Sequence, residues 1–110
     1  MNRMRLEVAA IDRLTPTIKR FSFAAADGAT LPAREAGAHL VFELGNGLRN
    51  SYSLANNPSE RDRYVTAVLR EAHGKGGSAY LHDQVEIGSV LWANGPNKNF
   101  RSRRTRGRLS

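Results

Sequence analysis

Two short segments of this 110-residue chain combine residue types in a way that could hold a ligand. The first is Arg49, Asn50, Ser51, Tyr52, Ser53 and Leu54 in succession. On a strand, the period of two puts Tyr52 on one face with Asn50 and Leu54 and turns Ser51 and Ser53 to the other. An aromatic ring among small hydroxyls and one guanidinium suits a planar, polar, anionic ligand. The ring stacks, the hydroxyls bond heteroatoms and the arginine faces a phosphate. An ordinary hairpin strand with its tyrosine in the core has the same pattern. The second segment is Gly74, Lys75, Gly76, Gly77 and Ser78, between a predicted strand and a predicted short helix. Glycines let backbone N–H groups approach an anion closely, and a helix N-terminus adds partial positive charge. Lys75 brings a compact charge, and Ser78 could cap the helix or donate to a phosphate oxygen. A flexible glycine-rich turn has the same composition. It is neither a Walker loop nor a dinucleotide fingerprint. Each segment alone is weak, yet both imply the same kind of ligand, flat and phosphate-bearing.

The elements that must position these segments read as short strands separated by turns. Leu6–Ile11 and Ile18–Phe23 are the first two, the latter with Phe21 and Phe23 on one face. His39–Leu44 forms a third, with Leu40, Phe42 and Leu44 inward. The turn Gly45-Asn46-Gly47 then leads into Leu48–Leu54, so these two strands make a hairpin. Tyr64–Arg70 is rich in β-branched and aromatic residues. Ala79–Gln84 reads as one or two helical turns, and Ser89–Ala93 as a sixth strand closed by Asn94-Gly95-Pro96. Six strands and one short helix predict a mainly all-β fold, a six-stranded antiparallel Greek-key-like barrel.

Composition is that of a single globular domain, with 40% apolar and 25% charged residues. The absence of cysteine excludes disulfides, iron–sulfur ligation and a cysteine zinc site. No stretch is apolar enough for a signal peptide or a membrane helix, so a soluble, cytoplasmic protein is expected. Of the net charge of +7, five come from the arginines of residues 101–110, which leaves +2 on residues 1–100. The division predicted is therefore a barrel over 1–100 and a basic disordered tail over 101–110.

His39, His73 and His82 are scattered without carboxylate or cysteine at ligand spacing, and no metal site is expected. His39 reads as structural or partly buried. No nucleophile elbow surrounds Ser51, Ser53 or Ser78, and no catalytic residue is assigned. Trp92 reads as core, and Glu60, Asp62, Glu71, Asp83 and Glu86 as solvated or turn residues.

The succession Ala36 to Leu40, Arg49 to Leu54, Arg61 to Val65, Val68 to Glu71 and Gly74 to Ser78 resembles the flavin domain of the phthalate dioxygenase reductase and vanillate demethylase reductase family. These belong with the ferredoxin–NADP reductase-like flavoproteins, and the resemblance spans about Leu6 to Phe100. It implies a flavin-binding barrel over residues 1–100, with FMN, or FAD, between the Tyr-Ser-Leu strand and the Gly-Gly-Ser turn. Tyr52 would pack against the isoalloxazine and Ser53 lie near its reactive edge. Ala67, Val68 and Leu69 would give backbone contacts, and Gly76, Gly77 and Ser78 would hold the phosphate. Arg49, Asn50, Ser51 and Leu54 complete the implied cofactor-binding set. The flavin would carry the redox chemistry of an NAD(P)H-dependent oxidoreductase whose partner is an electron-accepting oxygenase component.

Three departures accompany the resemblance. Asn50 stands where an arginine two residues before the tyrosine often holds the phosphate, and Arg49, one residue off, belongs to the other strand face. Arg34 stands where an apolar residue is usual. The nicotinamide and iron–sulfur domains of relatives are absent from the sequence, and the junction after Phe100 reads as a truncated or frame-shifted frame. A competing reading is a small basic nucleic-acid-binding barrel, its arginine tail tracking phosphates while Tyr52 and Tyr64 stack bases.

Overall fold

The computed structural model describes residues 3–45, 47–71 and 76–97. Six strands appear in chain order: β1 (Arg3–Thr15), β2 (Ile18–Ala25), β3 (His39–Glu43), β4 (Arg49–Ser53), β5 (Tyr64–Leu69) and β6 (Val90–Asn97). One helix, α1 (Gly77–Gln84), lies between β5 and β6. All pairings are antiparallel, and the sheet runs β4-β3-β6-β1-β2-β5. Hairpins join β1 to β2 and β3 to β4, while β6 returns to lie between β3 and β1. This is the predicted barrel.

Alternation explains the core. Leu6 and Val8 of β1, Phe21 and Phe23 of β2 and Leu40 and Phe42 of β3 point inward and are fully buried. Phe23 lies 5.0 Å from Phe42, and Phe42 lies 6.1 Å from Tyr52, so aromatic packing reaches from the centre out to β4. Tyr64 is also fully buried, with its hydroxyl donating to the Pro32 carbonyl and the Arg34 guanidinium over its ring. Arg34 is tolerated near the core because its Nη2 donates to both the carbonyl and the side-chain oxygen of Asn56.

Three expectations need correction. Strand β6 does not stop at Ala93. It continues through Asn94, Gly95 and Pro96 to Asn97, because β3 offers it a second edge, pairing His39 with Asn97 across a register shift. The helix begins at Gly77 rather than Ala79, with Gly76 as its N-cap. Trp92 is not core: it is 38% exposed on the outer face of β6, since Leu91 and Ala93 take the inward positions. Among the described residues, no helix is long and apolar enough to cross a membrane.

Candidate functional site

Strands β4 and β5 occupy the two ends of the sheet order and come together at one point. There the Ala55 N–H donates to the Val65 carbonyl (2.7 Å) and the Thr66 hydroxyl to the Ser53 carbonyl (2.8 Å). Beyond that point the two strands do not pair. Because the Val65 carbonyl faces β4, alternation turns the backbone groups of Ala67 and Leu69 the same way, where no strand among the described residues meets them. The Val68 backbone faces β2 instead, and its carbonyl lies 2.7 Å from His82 Nε2. Of the three residues expected to offer backbone contacts, Ala67 and Leu69 have an open edge and Val68 is engaged.

Helix α1 packs on both β4 and β5 and sets its N-terminus at this seam. Gly76 adopts φ +99°, a left-handed conformation that favours glycine, and starts the helix without a side-chain cap. Gly77 is required by close approach: a Cβ there would fall onto the Asn50 amide. The Tyr80 N–H makes the first helical bond, to the Gly76 carbonyl (2.9 Å). The preceding N–H groups, at Gly77, Ser78 and Ala79, are therefore those a helix leaves without an intrahelical partner. Ser78 does not cap the helix. It is buried in the first turn, where its hydroxyl accepts the Glu71 N–H (2.9 Å) and keeps its own hydrogen to donate.

Tyr52 stands beside this turn, half-buried against Phe42, with its hydroxyl accepting from Asn50 Nδ2 (3.0 Å). Burial pushes its pKa up; the Asn50 hydrogen bond opposes this, and the nearby Glu71 carboxylate adds to it. The hydroxyl therefore stays protonated at neutral pH. Asn50, Tyr52, Gly76, Gly77 and Ser78 thus meet at one seam, opposite the open edge of β5.

The seam does not include every residue expected there. Arg49 points to the other face of β4, two-thirds exposed, with a guanidinium nitrogen 3.9 Å from Glu43. Ser51 and Ser53 share that outward face and are exposed, while Leu54 is buried as a wall. The period of two separates these residues. His73, Gly74 and Lys75 lie outside the described residues, as does the tail. Tyr64, buried, offers no face for base stacking. His82 and Thr66 were not anticipated at the seam. The spacing of His82 four residues after Ser78 signals a shared helix face, and both are buried there. No cluster of metal-ligating side chains occurs among the described residues.

No protein-family model matches the chain. The chain is 44% identical over 95 residues to the phthalate 4,5-dioxygenase oxygenase reductase subunit of Pseudomonas putida, covering 86% of this chain and 29% of that protein. It is 39% identical over 100 residues to the vanillate O-demethylase oxidoreductase of Acinetobacter baylyi, covering 91% of this chain and 31% of the relative. Among solved structures, phthalate dioxygenase reductase, described as a modular structure for electron transfer from pyridine nucleotides to [2Fe-2S], superposes with a TM-score of 0.85. Its identity is 37%, over 88% of this chain and 30% of that one. The chain therefore spans about 30% of the length of the relatives it matches. Over its barrel, the chain is similar in sequence and fold to phthalate dioxygenase reductase and related oxygenase reductase subunits.

Proposed function

We propose that this chain is the flavin-binding module of a cytoplasmic NAD(P)H-dependent oxidoreductase that delivers electrons through FMN to an oxygenase component. The observation that carries this reading is the contact of Gly77 with Asn50, which sets a helix N-terminus beside Tyr52 and across from the open edge of β5. The missing Cβ lets the Asn50 amide pack directly on the start of α1, and the backbone N–H groups of that first turn are what a phosphate requires. The Gly76–Ser78 turn would hold the phosphate, Tyr52 would pack against the ring, and Ala67 and Leu69 would bond its heteroatoms. Bound flavin supplies hydride uptake and one-electron release; the protein positions it and excludes water. The choice of FMN over FAD rests on the family resemblance. The nicotinamide donor and the oxygenase partner are taken from the relatives' names.

The test is quenching of FMN fluorescence by the purified chain, with FAD in parallel. The expected result is saturable quenching that survives removal of residues 101–110 and is lost in Tyr52→Ala and Gly77→Asp. Quenching unchanged in both variants of a folded chain would overturn the assignment of the seam. Tighter binding of FAD would overturn the choice of FMN.

A further inference from the structure

A second concave region shares no residue with the seam. It is a cleft of about 380 Å³ between the start of β1, the end of β2, the segment after it and the outer face of β6. Its platform is Trp92, the one tryptophan of the chain and partly exposed. Its walls include the apolar Met4, Ala29, Leu31 and Pro32, and its charged groups are Arg3, Arg5 and Asp27.

The three charged groups differ in what they already bind. Arg3 stacks on Trp92, its guanidinium carbon 3.9 Å from the ring centre. Its edge is closed by Glu43, which accepts from Nε (2.9 Å) and Nη2 (3.1 Å). Asp27 accepts the Ala29 N–H within its own turn (3.0 Å). Arg5 is the direct cross-strand partner of Trp92, its guanidinium carbon 6.0 Å from the ring. It makes no side-chain hydrogen bond or ion pair with the described residues. One tryptophan thus has two guanidinium neighbours, and only one has a carboxylate on its edge. A guanidinium at an aromatic face keeps its N–H fork free for such a carboxylate.

We infer that this cleft is a binding site for a small aromatic carboxylate, its acid group on Arg5 and its ring against Trp92 and the apolar wall. The volume lies within the range of small-molecule sites, and the lining has the usual mixture of apolar wall and few polar anchors. Asp27 at the rim, held in its turn, disfavours ligands carrying a second negative charge there. The site would work with or without a ligand at the seam, so its failure leaves the flavin reading untouched.

Trp92 is its own reporter. The experiment titrates the full chain with benzoate while following tryptophan emission and the amide chemical shifts of Ala26, Ala29 and Leu31. Benzamide, cyclohexanecarboxylate and inorganic phosphate serve as comparison probes. A saturable change with benzoate is expected, with weaker binding of each comparison probe. Arg5→Gln, folded by circular dichroism, should weaken benzoate by roughly ten- to a hundredfold, the size of a lost charge-assisted hydrogen bond. The proposal is overturned if neither readout saturates with benzoate or if Arg5→Gln binds it as the parent does. Equal binding of benzamide or phosphate would overturn it as well.

Discussion

The outer face of β1, β6 and β3 and the seam between β4, β5 and α1 use similar residues to opposite ends. On the outer face, Arg3, Glu43 and Asn94 satisfy one another: Glu43 Oε2 accepts from both Arg3 and Asn94 at 2.9 Å. Here β1 pairs with β6 over Arg3–Glu7 and β6 with β3 over His39–Glu43, so these backbone groups have partners. At the seam the side chains are equally well bonded, but the backbone is not, because β5 ends the sheet and α1 begins there. Polar side chains can lock one another in place. Unpaired main-chain groups held by a rigid frame are what recognise a ligand.

Variants at the two regions sharpen this contrast. The largest expected effect is at His82, which ties α1 to β5 through the Val68 carbonyl. His82→Leu removes a buried hydrogen bond and should cost about 1–3 kcal/mol in urea unfolding. His82→Gln, which keeps a donor, should cost less; equal losses would show that ring packing against Phe21, not the hydrogen bond, holds the helix. A smaller effect is expected from Gly77→Ala, which must displace the Asn50 amide from Tyr52. A double-mutant cycle with Asn50→Ala should give a coupling of about 0.5–1.5 kcal/mol, and strict additivity would deny that the two residues meet.

The smallest effect belongs to the outer face; it is present at neutral pH and is lost in acid. Hydrogen bonds from Arg3, then from Asn94, hold the Glu43 pKa at about 2 rather than 4.5. A carboxylate depressed on folding adds stability above its unfolded pKa and loses it as pH falls toward the folded value. Thermal scans between pH 5 and pH 2, roughly the window set by those values, should therefore show the parent losing an advantage over Glu43→Gln. A difference that stays constant across that window would mean that the carboxylate is not what matters there.

Most of the barrel was legible because its signals are local. Alternation marked Phe21, Phe23, Leu40 and Phe42 as inward, and Gly45 and Gly47 marked the hairpin. Trp92 was misread because residue type alone favours burial, whereas its register beside Leu91 and Ala93 turned it outward. Strand β6 ran past Pro96 for a non-local reason, the waiting edge of β3. At the seam, Tyr52 and the glycines announced themselves by type. Which of Ala67, Val68 and Leu69 keeps free backbone groups depends on which strand lies beside β5, and no run of residues carries that. Arg49 is the opposite case, since its outward side was readable from its odd spacing to Tyr52.

The edge of β5, unpaired among the described residues, has a consequence for how the polypeptide fares during synthesis. An open strand edge is a template for another chain, and Leu69 beside it is half-exposed. Until something occupies the seam, two nascent copies can join there edge to edge. With the seam filled by flavin as proposed, recovery of soluble material should follow cofactor supply in the producing cell, and riboflavin-starved cultures should yield more aggregate.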